Sequence, residues 1–459
     1  MISKTISNSV LSFLQGALIL MLISLHPLIT STCMQMVPET GVRFFVHSGI
    51  LLVIYLLILI LIQTTNPAQS KMAFAVLLLT FQLQTANFAM LPLLYYTSGL
   101  EYAQAQEMAE LCTEYTFLFL ISFLAAWIIM IVAPFLLTSR KKIFPIFSAV
   151  LNLVIAFALI FLNDGVRTTM IHNIQVGIPL LAYLFLIFSY YYRIFIEQPE
   201  SCGFTTHRKA AAGMHYASFG MILAGYLVCS EIGIPAYFVF SVLIWFWFYL
   251  RRKSRLSFWI ITGMVAAVLA AAAGYYLLIY LRLEEDARYA LDAHLHGLGT
   301  KIHRIFSEVP QTITAEKLIR SAGFFGNVSY RYLAEGKSDF SLTLITHYLG
   351  CIWMALLIIL VCLTAVLGNE YWKKRKLETE CPLLMMPYLS FTCIVAICLY
   401  NILGNLGIMG IIGVSCYASG YGKTIYILSG ALLGFTLYQS KLDEMLKQKI
   451  SSLRERSKA

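Results

Sequence analysis

The chain has 459 residues, of which 59% are hydrophobic and only 12% are charged. A water-soluble domain carries about a quarter charged residues, so this composition excludes a soluble globular protein. The formal net charge of +10 leaves two interpretations, a nucleic-acid partner or membrane topology, and the positions of the basic residues decide between them.

A membrane-spanning helix needs about 20 mostly apolar residues, and stretches that meet this criterion recur along the whole chain. They predict an all-α, polytopic integral membrane helix bundle of about 12 transmembrane helices, with both termini on one side because that number is even. In chain order the predicted spans cover residues 9–31, 44–63, 72–96, 115–137, 143–163, 174–195, 211–230, 233–250, 257–281, 341–366, 383–404 and 409–438.

The basic residues concentrate in alternate connecting segments. If both termini are cytoplasmic, 22 of the 33 basic residues lie on the cytoplasmic side, together with eight of the acidic residues. The largest basic groups on that side are residues 140–142, 251–253, 373–376 and the tail 441–459. This is the positive-inside pattern of a multi-pass membrane protein, and it leaves a nucleic-acid partner without support.

Residues 282–340 form a long polar segment, which this orientation places outside the cytoplasm. The segment holds eight basic and eight acidic residues, most of the ionisable groups expected on the outer face. Long loops in compact proteins often carry function. We therefore expect any chemistry at the outer face to use residues of this segment.

The end of this polar segment resembles two motifs of the SEDS family, the group that includes FtsW, RodA and SpoVE. Residues 318–326 (LIRSAGFFG) resemble the family's AIGSGGLFG, and residues 333–340 (LAEGKSDF) resemble LPExHTDF. Leu349 and Gly350 fall where the family's EELG ends, and the spacing from residue 318 to residue 350 needs no gap.

Three further stretches follow the family's order. The family's C-terminal motif is NIGxxxGLLPVTGxPLPFISYGG. Its spacing is kept by Asn401, Ile402, Gly407, Gly413, Tyr421 and Gly422. Residues 229–233 (CSEIG) stand at the place of QPDLG, and residues 174–175 stand for the FQ of FQPSE at the start of a helix. The resemblance implies a SEDS-like ten-helix core in residues 71–440. Two additional N-terminal helices in residues 1–70 would precede this core, and a basic cytoplasmic tail, 441–459, would follow it.

The chain also departs from the family's pattern. Ile178 and Leu181 stand where the family has a Glu and a Lys that line its central cavity. Gly420 replaces the serine before Tyr-Gly, Lys423 replaces the glycine after it, and residues 347–348 (His-Tyr) replace an acidic pair. These departures indicate a divergent member.

The resemblance implies a peptidoglycan glycosyltransferase, which polymerises lipid II at the outer face of the bacterial cytoplasmic membrane and releases undecaprenyl pyrophosphate. Such a reaction needs a base to deprotonate the acceptor hydroxyl and cations to hold the departing pyrophosphate. Asp339 matches the family's essential aspartate and is the expected base. By position alone, Asp339 suits equally well a helix cap or an ion-pair partner at the start of the following span.

Basic residues near Asp339 in the chain are candidates for holding phosphates, because arginine makes bidentate phosphate contacts. They are Arg320, Arg331 and Lys337, together with Arg167, which stands near a conserved arginine of the family. Glu335 lies in the same motif as Lys337, residues 333–340, and is also predicted to bind substrate. The alternative is a solvated loop with internal salt bridges, which is the favoured interpretation for Arg331.

Lys423 is predicted within an apolar span, where an isolated lysine needs a partner. Two hypotheses follow from its position. Lys423 replaces the lysine that the family has at Leu181, or it pairs with Glu231, a second charged residue in apolar surroundings.

Two other functions compete with the polymerase. The first is a weakened or non-catalytic relative that scaffolds or regulates a cell-wall synthesis complex. The second is a flippase for a lipid-linked precursor; a flippase needs a polar cavity, and the aliphatic residues Ile178 and Leu181 count against one.

The partners expected of the polymerase are lipid II or a related undecaprenyl-linked precursor and a class B penicillin-binding protein, in cell elongation, division or sporulation. A divalent cation, Mg²⁺ or Mn²⁺, carried with the lipid pyrophosphate is the one cofactor considered.

Overall fold

The fold is described by a computed structural model. The described residues are 38–96, 102–139, 143–161, 170–171, 174–175, 180–192, 217–218, 220–222, 237–239, 241–243, 310–327, 340–374, 385–408, 415–420 and 422–438. The predicted spans 9–31 and 257–281 lie outside these residues, and the spans 211–230 and 233–250 are described only as short helical pieces.

The regular secondary structure of the described residues is helical except for one antiparallel ladder of two-residue strands. The helices are α1 (Pro38–Thr65), α2 (Ser70–Tyr96), α3 (Tyr102–Ser139), α4 (Ile143–Phe161), α5 (Leu180–Tyr192), α6 (Pro310–Ser321), α7 (Ser341–Leu349), α8 (Cys351–Lys374), α9 (Met385–Asn405) and α10 (Lys423–Thr436). The ladder joins β1 (Met170–Ile171) to β2 (Ile174–Gln175), with Met170 opposite Gln175. This architecture agrees with the predicted helical membrane protein.

The outward faces of the peripheral helices are apolar. Helix α1 exposes Val46, Ile50, Val53, Leu57 and Ile60, spaced three or four residues apart, and comparable stripes run along α3, α4 and α8. A helix at the surface of a soluble bundle would turn polar side chains outwards at this spacing. Because these stripes are apolar and lie on one face of each helix, lipid is the solvent that fits them.

Four helical segments are long and apolar enough to cross a membrane among the described residues: Val46–Thr65, Glu110–Val132, Cys351–Trp372 and Met385–Asn405. The last is 83% buried inside the bundle, against 28–39% for the other three. Helix α9 is therefore central, while α1, α3 and α8 face outwards. The predicted number of spans is not reached by the described helices.

Helix α2 is also central, and it carries a row of buried polar side chains that lowers its hydropathy. Thr80, Gln82, Gln84, Thr85 and Asn87 are all buried, and α2 packs against α1, α3, α7 and α8. The Tyr55 hydroxyl of α1 donates to Gln84 Oε1 at 2.5 Å. The second of the two N-terminal helices predicted in residues 1–70 thus packs directly on the first helix of the predicted core.

The predicted span 341–366 is not one helix. It divides into α7 and α8 at Gly350, whose φ of 90° and ψ of 166° belong to a region that is essentially restricted to glycine. All nine residues of α7 are buried, whereas α8 has an exposed apolar face. The continuous apolar sequence hid this break because a single glycine is tolerated within a helix.

Two further predicted spans begin too early. In the span 409–438, residues 415–420 are not helical, since Ala418 (φ 51°) and Gly420 (φ 105°) adopt left-handed backbone conformations, and α10 begins only at Lys423. In the span 174–195, residues 174–175 pair with β1, so they do not start a helix as the resemblance implied, and α5 begins at Leu180.

Candidate functional site

The loop after α6 fills the break between α7 and α8. The carbonyl oxygens of Gly323 and Phe324 accept the N–H groups of Cys351 (3.0 Å) and Ile352 (3.3 Å), and the Asn327 N–H donates to the His347 carbonyl at 2.7 Å. A helix end leaves backbone groups without intrahelical partners. The loop supplies those partners, so the two helix ends at the break are stabilised by residues 323–327.

Glycines make this close approach possible. A Cβ atom on Gly350 would overlap the Phe324 carbonyl oxygen, and one on Gly326 would overlap the Tyr348 carbonyl oxygen. Gly326 also has a φ of 100°. Both glycines belong to the stretches that resemble SEDS motifs, and the structure places these stretches against each other.

Helix α6 packs on the buried helix α7 through a small apolar cluster formed by Ala315, Leu318, Phe340 and Leu344. His347 of α7 lies beside this cluster, with Nδ1 at 3.2 Å from the Leu318 carbonyl oxygen and 3.4 Å from Ser321 Oγ. The position that holds an acid in the family motif therefore holds a buried imidazole in contact with α6.

The first turn of α7 is capped from another helix. Asn405, the last residue of α9, accepts the Thr343 N–H with Oδ1 at 2.8 Å and also contacts Thr343 Oγ1 at 2.9 Å. Phe340 occupies the N-cap position and provides no side-chain cap. Asn405 thus takes the role that a capping side chain normally has within its own helix.

The non-helical residues 415–420 are held in the core by side chains of α2 and α10. The Asn87 amide exchanges two hydrogen bonds with the Gly420 backbone (3.0 and 3.2 Å), and Thr80 Oγ1 lies 3.0 Å from the Tyr417 hydroxyl. The Ala418 N–H donates to Ser429 Oγ at 2.8 Å. These side chains satisfy a buried irregular backbone, which is tolerated at membrane depth only when protein groups surround it.

Two of the stretches that resemble SEDS motifs, residues 318–326 and 401–422, therefore meet at α7. Residues 318–326 pack against its C-terminal end, and Asn405 binds its first turn. Ser419 Oγ lies 3.5 Å from Ser341 Oγ, so residues 415–420 also reach the first residue of the helix. Asp339 itself lies outside the described residues, two positions before Ser341 in the sequence.

Of the predicted phosphate-binding residues, the structure describes Arg320 and Lys423. Arg320 is exposed on the last turn of α6 and pairs with Glu316 one turn earlier. Leu181 is fully buried in the apolar core of the bundle. The remaining predicted residues lie outside the described part of the chain: Arg167, Ile178, Glu231, Arg331, Glu335, Lys337 and Asp339.

Lys423 pairs with Glu114 of α3. Its Nζ lies 2.5 Å from Glu114 Oε1, and the two side chains are 31% and 41% exposed. The partner predicted from the sequence was Glu231, which lies outside the described residues. In the sequence, Glu114 could have been recognised as a candidate partner by its position just before the predicted span 115–137. Helix α3 begins earlier than that span, at Tyr102, so Glu114 lies on the surface of the helix.

The Lys423–Glu114 pair is expected to contribute only about 0.5–1 kcal/mol, because partly exposed ion pairs are screened. A double-mutant cycle with Lys423→Ala and Glu114→Ala, followed by thermal unfolding in detergent, measures this coupling. The matched cycle with Glu231→Ala should give a smaller coupling, because Lys423 already has a carboxylate partner. A larger coupling to Glu231 than to Glu114 would contradict the assignment.

A further signal in the sequence, Gly430-x-x-x-Gly434, explains how α10 lies on α3. A Cβ on Gly430 would overlap the Phe119 carbonyl oxygen, and one on Gly434 would overlap that of Phe123. Together with the Lys423–Glu114 pair, these contacts show that α10 and α3 run parallel. Small residues spaced by four are typical of such close helix pairs in membranes.

No three histidine, cysteine, aspartate or glutamate side chains come together as a metal site within the described residues. The acidic residues that would hold a divalent cation are therefore not identified in this part of the chain. Comparisons with protein-family models and with curated proteins give no match to this sequence.

Proposed function

We propose that this protein is a SEDS-type peptidoglycan glycosyltransferase that polymerises lipid II at the outer face of the bacterial cytoplasmic membrane. The observation that carries the proposal is the meeting of two motif-like stretches, residues 318–326 and 401–422, at α7. Leu318 contacts His347 of α7, and Asn405 and Ser419, which lie between the matched residues of the C-terminal stretch, contact the first turn of this nine-residue helix. These contacts support the proposal because they bring residues of both stretches to the helix that follows Asp339.

In the proposed reaction, Asp339 accepts the proton of an acceptor sugar hydroxyl. The hydroxyl oxygen bonds to the anomeric carbon of the donor as the bond from that carbon to the pyrophosphate oxygen breaks. Undecaprenyl pyrophosphate leaves with the electron pair of the broken bond. One displacement inverts the anomeric carbon and needs no second carboxylate as nucleophile. A divalent cation would supply charge neutralisation at the pyrophosphate, and no step depends on it here.

The proposed role of Arg320, Arg331, Lys337 and Arg167 is to bind the negative charge of the pyrophosphate. The exposure of Arg320 on α6 supports this role, because among the described residues its guanidinium pairs with one carboxylate, that of Glu316, and it remains accessible to a ligand. Lys423 adds a further cation at the start of α10, where Glu114 partly neutralises it. Cationic groups with accessible donors suit phosphate binding.

The proposed topology places both termini in the cytoplasm and residues 282–340 outside. The distribution of basic residues supports this orientation. In the same proposal, lipid II is the substrate and a class B penicillin-binding protein is the transpeptidase that cross-links the product.

A second candidate function is a non-catalytic relative that scaffolds a cell-wall synthesis complex. The observation that favours it is Leu181, which is fully buried among apolar side chains where the family has a lysine. A buried leucine cannot bind phosphate. Lys423 would have to replace the missing charge, and it is already paired.

An assay of glycan formation tests the proposal directly. Purified protein in vesicles is supplied with labelled lipid II, Mg²⁺ or Mn²⁺, and a class B penicillin-binding protein. Polymeric glycan is expected from the unchanged chain, and Asp339→Asn should lower the rate by about 10²–10⁴-fold, the usual contribution of a positioned base. Asp292→Asn removes one carboxylate from the same polar segment and serves as the matched control.

Two outcomes would contradict the polymerase. Absence of glycan from the unchanged protein with every partner tested would favour the scaffold. Equal rates for Asp339→Asn and Asp292→Asn would remove Asp339 from the proposed chemistry. Thermal unfolding of both variants should match that of the unchanged chain, so that a lost rate reports on chemistry and not on folding.

A further inference from the structure

The tip of the loop after α6 exposes two adjacent phenylalanines. Phe324 is 62% and Phe325 is 80% exposed, and their rings pack edge to face on each other with centroids 4.8 Å apart. Isolated apolar side chains at a surface need no explanation, but two large rings side by side form a patch with a strong tendency to leave water. This patch belongs to a loop whose backbone is tied down on both sides.

The backbone hydrogen bonds fix the height of this tip along α8. Gly323 and Phe324 accept the N–H groups of Cys351 and Ile352, which open the candidate membrane span Cys351–Trp372. The tip is therefore level with one end of a membrane-spanning segment. A membrane protein has its headgroup–acyl boundary at that level, because the apolar span and the hydrocarbon core have matching lengths.

The loop also lies beside an exposed apolar face of α8. Cys351, Ala355, Ile359 and Val366 are exposed on this helix at spacings of about one or two turns. The stripe begins at Cys351, whose Sγ lies 3.9 Å from the Ile319 carbonyl oxygen at the base of the loop. The base of the loop therefore lies at the end of the exposed apolar stripe of α8.

Cations precede the tip in the chain. Lys317 and Arg320 are exposed on α6, immediately before the loop, and Arg320 pairs with Glu316. Aromatic rings at the edge of the hydrocarbon with basic side chains next to them are the usual arrangement of elements that lie in a membrane interface. The charges match the phosphates of lipid headgroups, and the rings match the acyl boundary beneath them.

We propose that the Phe324–Phe325 tip inserts into the headgroup–acyl boundary of the bilayer that α8 spans, with Lys317 facing lipid phosphates. The tip then holds the α7–α8 break at a fixed depth in the membrane. This inference does not depend on the enzymatic proposal.

Depth-dependent fluorescence quenching tests the insertion. Phe325→Trp, made in the full chain and reconstituted in phosphatidylethanolamine–phosphatidylglycerol vesicles, adds one fluorophore whose emission is obtained by subtracting that of the unchanged protein. Lipids brominated near the headgroup end of the acyl chain should reduce this emission more than lipids brominated near the terminal methyl. Ile359→Trp, about 12 Å further along α8 at 1.5 Å per residue, is the matched control and should show the opposite order.

Emission of Phe325→Trp that neither brominated lipid reduces, while Ile359→Trp responds, would overturn the proposal. Emission that shifts to the blue only when a class B penicillin-binding protein is added would also overturn it, in favour of a protein partner. The double variant Phe324→Ser, Phe325→Ser distinguishes an effect on membrane insertion from an effect on folding, because exposed rings contribute little to internal packing. This double variant should keep its melting temperature in detergent; a large decrease would mean that the rings pack against protein.

Discussion

Gly350→Ala is expected to destabilise the folded protein by more than ~4 kcal/mol, a loss that few single substitutions cause. Two effects combine at this residue. The backbone conformation of Gly350 is one that residues with a Cβ essentially never adopt. The added Cβ would also overlap the Phe324 carbonyl oxygen, which belongs to the backbone and cannot rotate away. The yield of monodisperse protein and its melting temperature in detergent measure the loss.

Gly326→Ala should have a similar effect, since its Cβ would overlap the Tyr348 carbonyl oxygen. The matched control is Gly323→Ala in the same loop, where φ is also positive (66°) but no atom lies within 4 Å of the new Cβ. This control should lose only about 1–2 kcal/mol from the left-handed backbone. If Gly350→Ala and Gly323→Ala unfold at the same temperature, the close contact between Gly350 and the Phe324 carbonyl does not stabilise the α7–α8 break.

The sequence predicts the helical membrane class because this class depends on local composition. An apolar stretch about 20 residues long must satisfy its backbone hydrogen bonds within itself, so its length and polarity already predict a helix. The exposed stripe of α1, from Val46 to Ile60, follows from this constraint. The glycine spacing between residues 318 and 350 was also informative, since Gly326 and Gly350 are required where two backbones approach closely.

The interior of the bundle could not be predicted in the same way, because its polar contacts join residues that are far apart in the chain. Asn87 binds Gly420, and Thr343 is capped by Asn405. No periodicity within one helix identifies such a partner. The break at Gly350 was missed for the same reason: it is stabilised by carbonyl groups of residues 323–324, which the sequence around Gly350 does not show.

Gly430→Ala is expected to destabilise the protein by about 3 kcal/mol, because overpacking a close helix interface forces backbones apart. The new Cβ would overlap the Phe119 carbonyl oxygen of α3. Gly434→Ala should behave alike, since its Cβ would meet the Phe123 carbonyl oxygen and would lie 2.8 Å from Ala126 Cβ. Melting temperatures in detergent give both effects. Gly49→Ala in α1, where no atom lies within 4 Å of the new Cβ, is the matched control and should be neutral or slightly stabilising.

The consequences of Gly430→Ala should extend to the candidate site, because α10 positions residues 415–420. Ser429, next to Gly430, accepts the Ala418 N–H, and Ser419 in turn lies against Ser341 of α7. A displacement of α10 away from α3 therefore acts on the first turn of α7, two residues after Asp339. In the lipid II assay, Gly430→Ala should lose more activity than a variant of matched melting temperature that is altered away from the candidate site, such as Gly368→Ala on α8, whose new Cβ would overlap the Phe391 ring. Equal activity of these two variants would contradict the mechanical link from α10 to the site, while leaving the packing of α10 on α3 intact.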